Sequence, residues 1–307
     1  MNILKISILV LVSSLLISNI CFCDEEAAFL SGQKPIEEFI AAANVDYFNN
    51  GTLYSSSIHH SRPAVAISET KDSREAKSLA ENISYSFSSS FLSRYVSHSI
   101  ADSQGWVWQP AATVEWYGLG FNVWSNFVIE DKADRGTFNE VDLTIYYDYK
   151  FHGLTIHPYF TADIYPTNNK LSLDYSSNTD VLPSLHLSYA LGPLDIFADL
   201  ELYVHPNPGA LKTEVGVGLT QKIVKNLAIE TSGLVGIDNS KYNKAQFNVS
   251  DTTCDYFTYS IAFPWNPLKG LVIKPTANVS AFLQKDLRDA TRYPVQVWGG
   301  LNFAYHL

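Results

Sequence analysis

Residues 139–165 alternate between apolar and polar side chains in two successive runs, and this pattern restricts the fold more than any other feature of the chain. The apolar positions of the two runs are Val141, Leu143, Ile145, Tyr147 and Tyr149, then Leu154, Ile156, Pro158, Phe160, Ala162 and Ile164. The positions between them are polar or aromatic, and the sequence Phe151-His152-Gly153 separates the two runs. Successive side chains of a strand point to opposite sides, so this segment predicts two antiparallel strands joined by a tight turn.

The length and the two faces of these runs are compatible with two kinds of β protein. Each run has about ten residues or more, which is the length that a tilted strand needs to cross a bilayer. A soluble β-sandwich would bury the apolar face, whereas a transmembrane barrel turns that face to lipid and encloses the polar one. We interpret the pattern as a barrel, because aromatic side chains cluster near strand ends, where interface girdles belong. The aromatic residues expected to face lipid are Trp106, Trp108, Trp116, Tyr147, Tyr149, Phe303 and Tyr305.

The N-terminal segment predicts that the chain is exported. Met1–Cys23 holds a lysine and then an apolar run, which is typical of a cleaved signal peptide. A lipoprotein signal with Cys21 or Cys23 acylated is the alternative, but neither cysteine follows the small residue that such signals usually carry. The mature chain would keep Cys254 as its single cysteine, so we expect no disulfide framework. The net charge of −10 argues against nucleic acid as a partner, because proteins that bind nucleic acid usually carry a cluster of basic residues.

The mature sequence divides into an N-terminal extension and a barrel. Within residues 24–81, Pro35 opens a stretch with helical spacing, so we expect a partly helical extension that is a plug, a periplasmic arm or a loosely ordered tail. Residues 82–307 predict an all-β fold, a single antiparallel transmembrane barrel of about twelve strands, an even number as bacterial barrels require. The expected strands are 82–100, 105–117, 119–130, 138–150, 153–165, 180–191, 194–206, 211–223, 226–238, 252–264, 270–285 and 294–307.

The connections between the expected strands alternate in length. Short turns are expected at 117–118, 151–152, 192–193, 224–225 and 266–269, and longer polar loops at 131–137, 166–179, 239–251 and 286–293. Short periplasmic turns and longer outer loops are typical of barrels in the bacterial outer membrane, which is the localisation we predict. The last strand alternates up to Tyr305, as in segments that the barrel assembly machinery reads, although the chain ends on Leu307. The expected partners are therefore outer-membrane lipid, the assembly machinery and small solutes.

Several short motifs between residues 93 and 149 resemble the TorF-type porins, small outer-membrane barrels of Gram-negative bacteria. The resembling residues are Ser93-Arg94-Tyr95-Val96, Gln109-Pro110, Gly120-Phe121 with Trp124, and Asn139-Glu140-Val141-Asp142 with Tyr146. The sequence departs from the family where Ser97-His98 stands in place of a Trp-Arg pair. The resemblance implies a small barrel with a porin-like or unknown task, and it supplies no catalytic residues to assign to this sequence.

The inward positions of the expected strands are mostly acidic. We predict that the lumen is lined by Arg94, Glu115, Glu140, Asp142, Asp148, His157, Asp163, His186, Asp195, Asp199, Glu201, Glu214, Glu230 and Lys274. Carboxylates outnumber cations there, so an open lumen would favour cations and repel anions. About twelve strands leave a lumen between the filled barrels of eight strands and the open porins of sixteen. A narrow pore and a filled barrel, in which inward charges pair across strands, therefore both stay open.

These patterns favour a porin-like passive channel for small solutes or cations. A non-conducting barrel whose loops or N-terminal extension bind a partner is the second hypothesis, and a lipid-modifying enzyme on the barrel wall is the third. The enzyme hypothesis rests on histidines that can point inward, namely His98, His157, His186, His205 and His306. No nucleophile–base signature, CxxC pair or glycine-rich phosphate loop accompanies them, so we expect no enzyme activity, no cofactor and no metal site.

Overall fold

The computed structural model describes residues 55–56, 83–131, 134–166 and 179–307. Their strands are β1 (Ser55–Ser56), β2 (Ile83–Leu92), β3 (Tyr95–Ser97), β4 (Ile100–Ser103), β5 (Val107–Trp116), β6 (Leu119–Val128), β7 (Phe138–Tyr147), β8 (Tyr149–Phe151), β9 (Leu154–Ile164), β10 (Thr179–Leu191), β11 (Leu194–Leu202), β12 (Leu211–Val224), β13 (Leu227–Asp238), β14 (Thr253–Ala262), β15 (Trp265–Leu268), β16 (Leu271–Phe282) and β17 (Val295–His306). The described helices are α1 (Ser240–Phe247) and α2 (Lys285–Ala290), and neither is long and apolar enough to cross a membrane.

Twelve antiparallel strands close into a barrel. The large sheet has fourteen strand segments. The segments β7 and β8 form one barrel strand interrupted at Asp148, and β14 and β15 form another interrupted at Phe263-Pro264, which leaves twelve. The last strand, β17, pairs with the first, β2, with Gly300 opposite Leu92, so the sheet has no open edge. The predicted fold, a single all-β barrel of about twelve strands, is confirmed.

Tight turns connect the strands at one end of the barrel, which we call the short-turn end. Tyr117 and Gly118 there have φ angles of 51° and 85°, and His152 and Gly153 have 47° and 84°. Two successive residues with positive φ form the mirror-image turns whose twist matches that of paired strands, which explains the tight turns read from the sequence. The opposite end, the long-loop end, carries the longer connections and both helices.

The apolar face of the alternating pattern lies on the outside of the barrel. Phe87, Ile145 and Phe160 are 51%, 50% and 45% exposed, whereas the neighbouring Glu140 and Asp142 are 6% and 5% exposed. A soluble sandwich would show the reverse, because it buries its apolar faces against each other. The outer surface therefore suits the hydrocarbon of a membrane. The aromatic residues expected to face lipid include the exposed Trp106, Trp116, Tyr147, Tyr149 and Tyr305 and the half-buried Trp108 and Phe303.

The first barrel strand is shorter than the sequence pattern predicts. The expected strand over 82–100 is wrong in its second half, because β2 ends at Leu92 and the chain then turns into the lumen. There β3 and β4 pair with each other through a two-residue turn at His98 and Ser99, whose φ angles are 49° and 63°. We call residues 95–103 the inner hairpin. Because its side chains also alternate, periodicity alone does not separate it from a continuing strand.

Two long connections contain short helices that the prediction did not include. The helix α1 begins after Asn239, whose side chain accepts a hydrogen bond of 3.0 Å from the backbone N–H of Tyr242. Such a cap stabilises the first turn of a helix too short to show an amphipathic pattern. The strand expected over 270–285 ends at Phe282, and α2 follows it. The extension expected over 24–81 lies outside the described residues apart from β1, which pairs in parallel with β3.

Candidate functional site: the barrel lumen

The residues predicted to line the lumen lie on the inner side of the barrel. Strand register and side-chain contacts place the following on inward positions of barrel strands or, for Asp148, in the break between β7 and β8: Glu115, Glu140, Asp142, Asp148, His157, Asp163, His186, Asp195, Asp199, Glu201, Glu214, Glu230 and Lys274. Arg94 lies just before the inner hairpin and is 1% exposed. Whether these side chains line a conducting pore stays a prediction.

The two halves of the lumen differ in how tightly they are filled. Inward side chains near the long-loop end are buried, and they include Gln109, Asn126, Asp142, Thr161, Lys212, Thr258, Asn278 and Gln296. Inward side chains near the short-turn end are half-buried, and they include Ser86, Glu115, Tyr146, His157, Asp195, Glu230, Lys274 and Asn302. Among the described residues the lumen is therefore filled most tightly near the long-loop end.

The inner hairpin fills the half of the lumen near the long-loop end. The Nη1 atom of Arg94 donates a hydrogen bond of 2.7 Å to Oε1 of Gln296 on β17. The ring of Tyr95 packs 5.6 Å from that of Trp124 on β6, and Val96 packs against Trp298 on β17. The hairpin therefore starts against one side of the wall and extends across the lumen from there.

The tip of the inner hairpin meets a buried ion pair. Lys212 Nζ on β12 lies 2.5 Å from Glu201 Oε2 on β11, and both side chains are largely buried. His98 places its Nδ1 atom 3.2 Å from Lys212 Nζ and its Nε2 atom 3.8 Å from Glu201 Oε2. The rings of Tyr203 and Tyr242 flank the ammonium at 5.2 and 5.7 Å, which favours its charged form. Burial raises the pKa of both tyrosine hydroxyls, so both stay neutral beside it.

Histidines on the inner wall form hydrogen bonds with aspartates. His157 Nδ1 lies 2.6 Å from Asp148 Oδ1, and His186 Nδ1 lies 2.9 Å from Asp199 Oδ2. The hydroxyl of Tyr159 donates to the other oxygen of Asp199 at 2.8 Å. An ionised carboxylate only accepts hydrogen bonds, so each histidine donates from Nδ1. These contacts fix the orientation of the carboxylates along β7 to β11.

A Glu–Gly–Tyr arrangement across three neighbouring strands occurs twice in the described part of the barrel. Glu115, Gly120 and Tyr146 are directly opposite one another on β5, β6 and β7, and Glu214, Gly236 and Tyr256 are opposite one another on β12, β13 and β14. In each set the tyrosine ring lies over the glycine, in space that a Cβ atom would occupy, and its hydroxyl reaches the glutamate. The sequence analysis did not predict these sets. A glycine at an inward position of one strand and a tyrosine at an inward position of the next strand are the pattern that could have indicated them.

Removing the tyrosine hydroxyl should destabilise the two sets unequally. Tyr256 OH donates to Glu214 Oε1 at 2.6 Å from a ring that is 1% exposed, so Tyr256→Phe should lower the free energy of unfolding by about 1.5–3 kcal/mol. Tyr146→Phe is the matched control, since its bond to Glu115 is 3.3 Å long in the half-buried part of the lumen, and we expect a loss below about 1 kcal/mol. Urea unfolding in detergent measures both. Equal losses would contradict this reading.

Three carboxylates lie as close to one another as the ligands of a cation site do. Oxygens of Glu140, Asp142 and Asp163 lie within 4.8 Å of one another on β7 and β9. Carboxylate oxygens are ligands that Ca²⁺ and Mg²⁺ prefer, so among the described residues these three could hold a hard cation. The sequence reading assigned no metal to them, and carboxylates alone do not assign one.

The contacts of His98, His157 and His186 bear on the hypothesis of a hydrolase site. Ser97 Oγ lies 2.7 Å from His98 Nδ1, but Lys212 Nζ lies 3.2 Å from the same nitrogen. A nitrogen that accepts a hydrogen bond from an ammonium has no second lone pair with which to take a serine proton. His157 and His186 have aspartate partners at Nδ1. A catalytic triad would in addition need a nucleophile at the opposite nitrogen, Nε2.

Comparisons with known proteins concern the barrel itself. No family model and no curated protein matches this sequence. Solved structures do match: the KdgM porin has 12% identity and a TM-score of 0.43, over 72% of this chain and 98% of that one. The NanC porin has 12% identity and a TM-score of 0.45, over 72% of this chain and 100% of that one. In this chain the fold is the closed antiparallel barrel of twelve strands described above.

A third solved structure, also an outer membrane channel, is similar to this chain. The COG4313 outer membrane channel from Pseudomonas putida F1 has 11% identity and a TM-score of 0.37, over 73% of this chain and 94% of that one. At such identities the likeness describes architecture alone. The resemblance to TorF-type porins stays a prediction, and the function of this porin-like barrel has to be argued from its own residues.

Proposed function

We propose that this chain is a passive channel of the bacterial outer membrane that admits small solutes and prefers cations. The apolar outer surface suits insertion in a membrane, and the inward face encloses mostly acidic and uncharged polar groups. A lumen with a low-dielectric wall and one sign of fixed charge concentrates ions of the opposite sign. The preference for cations follows from that field.

The observation that carries the proposal is the way in which the inward carboxylates are held. Tyrosine hydroxyls donate to Glu115, Asp199 and Glu214, and a hydroxyl stabilises a carboxylate without cancelling its charge. Lysines pair with Glu201 at 2.5 Å and with Glu230 at 3.8 Å. A neutral donor leaves the local field negative, whereas an ion pair removes most of it.

The wall opposite this acidic region is mostly polar and uncharged. On β2, β5, β16 and β17 the inward side chains include Ser86, Ser88, Ser90, Gln109, Thr113, Thr276, Asn278, Ser280, Gln296 and Asn302. Such side chains offer hydrogen bonds to water and solutes, and the charged residues of the predicted lumen on these strands, Glu115 and Lys274, are one of each sign and add no net positive charge. The acidic excess is therefore not balanced from across the lumen by these strands.

Reversal potentials test the proposal directly. The mature chain, refolded and inserted in planar bilayers under an asymmetric KCl gradient, should conduct with a reversal potential of the sign set by K⁺. The heat-modifiable mobility of the same sample on gels confirms that the barrel has folded. A reversal potential set by Cl⁻ would overturn the cation preference. Absence of conductance at every voltage would overturn the channel.

Neutralising carboxylates in the half-buried part of the lumen should weaken cation selectivity. Glu115→Gln removes a carboxylate held by a neutral hydroxyl, and adding Glu230→Gln leaves the ammonium of Lys274 without its carboxylate, so together they should lower the K⁺/Cl⁻ permeability ratio by roughly half. The control is Asp289→Asn on α2, an exposed carboxylate that pairs with Lys285, and it should leave the ratio unchanged. An equal change in both variants would indicate that net charge, not lumen charge, sets selectivity.

A non-conducting barrel that binds a partner is the second candidate, and the filled long-loop half of the lumen favours it. In that case the packed hairpin closes the barrel permanently, and the loops at the long-loop end carry the function. Capture experiments with variants shortened at residues 239–251 would then lose the partner, while the planar bilayers would stay silent.

A further inference from the structure

The inner hairpin is fixed to the barrel wall at its base. The N–H and hydroxyl of Ser93 both donate to the carbonyl of Gly299 on β17, at 3.1 and 3.0 Å. On the returning leg, the N–H of Gln104 donates to Asp131 Oδ2 at 2.9 Å, and the carbonyl of Trp106 accepts from the N–H of Ile129 at 2.8 Å. Backbone hydrogen bonds therefore hold both legs where they leave the wall.

The strands of the inner hairpin belong to a separate sheet. β3 pairs with β4 and with β1, and none of these three short strands pairs with a strand of the barrel among the described residues. The hairpin can therefore change its position without breaking the hydrogen-bond ladder of the barrel. Its packing against Trp124 and Trp298 lies close to its base.

The tip of the inner hairpin meets the barrel wall through side chains. The hydroxyls of Ser99 and Ser280 are in hydrogen-bond contact, and His98 Nδ1 lies 3.2 Å from Lys212 Nζ. Next to the turn, Ile100 packs against a cluster that includes Tyr256 and Phe282. These contacts break if the tip moves away from the wall.

The barrel wall beneath the tip keeps its own ion pair when the hairpin moves away. Glu201 and Lys212 are direct cross-strand neighbours on β11 and β12, so their ion pair belongs to the wall. When His98 leaves, Lys212 keeps its carboxylate and the two tyrosine rings. Removing one member of a buried ion pair leaves the other charge unpaired, whereas undocking the tip leaves both Glu201 and Lys212 in place.

We propose that the inner hairpin is the gate of the channel, pivoting at its fixed base while its tip docks on Ser280 and on the Glu201–Lys212 pair. In the docked position it fills the long-loop half of the lumen, and in the undocked position that half loses the hairpin side chains that fill it. The inference rests on the proposed channel function. Two positions of one element that differ in their side-chain contacts are the usual basis of a two-state switch.

A reversible crosslink at the tip tests the gate. Ser99→Cys with Ser280→Cys, in a Cys254→Ser background, places two thiols where hydroxyls now touch, within the reach of a disulfide. Oxidation should fix the tip on the wall and hold the channel closed in planar bilayers. Addition of dithiothreitol to the same membrane should raise the mean conductance by about tenfold, to the level of the Cys254→Ser parent.

Controls separate the gate from the channel. The single variants Ser99→Cys and Ser280→Cys should respond to neither oxidant nor reductant, and a shift of gel mobility verifies the disulfide in the double variant. Equal conductance before and after reduction, with the disulfide verified, would overturn the gate and leave the channel standing. A silent Cys254→Ser parent would overturn the channel and the gate together.

Discussion

Replacing the inner hairpin with a tight turn should raise the single-channel conductance severalfold. The replacement fits the fold, because β2 and β5 are already paired neighbours with Leu92 directly opposite Val107. An Asn-Gly turn in place of residues 93–106 would join them as a hairpin of the barrel wall. With the hairpin gone, the long-loop half loses the side chains that fill it, and conductance grows with the open cross-section.

The control for this replacement is a second change at the same end of the barrel. Residues 134–136 form an exposed turn between β6 and β7, so shortening it should leave conductance unchanged. Heat-modifiable mobility establishes that both variants fold. If the variant without the hairpin folds and conducts no better than the parent, another element closes the lumen. The partner-binding candidate then becomes the stronger one.

Local patterns predict the barrel strands because each strand lies between two different solvents. Ile145 and Tyr147 face outward while Asp142 and Thr144 face inward, and this contrast alternates with the strand period. The short turns are equally readable, since Gly118, Gly153 and Gly270 take φ angles of 80° to 85° that other residues rarely adopt. Both signals lie within a few residues of the positions that they specify.

The inner hairpin was not predictable in the same way. Tyr95, Val96 and Ile100 continue the apolar content of β2, so the sequence reads as one long strand. What ends the strand is the anchoring of Ser93 to Gly299, a contact between residues about two hundred positions apart. A turn at His98 and Ser99 requires positive φ at two residues that are not glycine, and the sequence gives no sign of it.

The acidic lumen was predictable as a set, but its pairings were not. Glu201 meets Lys212 because β11 and β12 pair in one particular register, and the loop between them leaves other registers possible. The same holds for Tyr256, whose hydroxyl crosses the strand of Gly236 to reach Glu214. Since charge pairing decides how negative the lumen is, the selectivity argued above depends on register as well as on composition.

The largest expected loss of stability comes from removing the buried lysine. Lys212→Met keeps most of the side-chain volume but leaves Glu201 buried without its cation, and we expect the free energy of unfolding to fall by about 3–5 kcal/mol. The matched control is Lys274→Met, whose ammonium lies 3.8 Å from Glu230 with both side chains more than one-third exposed. An exposed pair contributes little, so we expect a change below about 1 kcal/mol. Urea unfolding in detergent, followed by tryptophan fluorescence, measures both.

A double variant distinguishes a stranded charge from lost packing. If the cost of Lys212→Met is the unpaired carboxylate of Glu201, then adding Glu201→Gln should restore about half of the lost stability, because the remaining amide is neutral. If the cost is instead the loss of lysine packing against Tyr203 and Tyr242, the second change should add a further loss. Restoration would establish the Glu201–Lys212 pair as a charge-balanced part of the wall. Additive losses would contradict it, and the surface on which the hairpin tip docks would then depend on the hairpin for its stability.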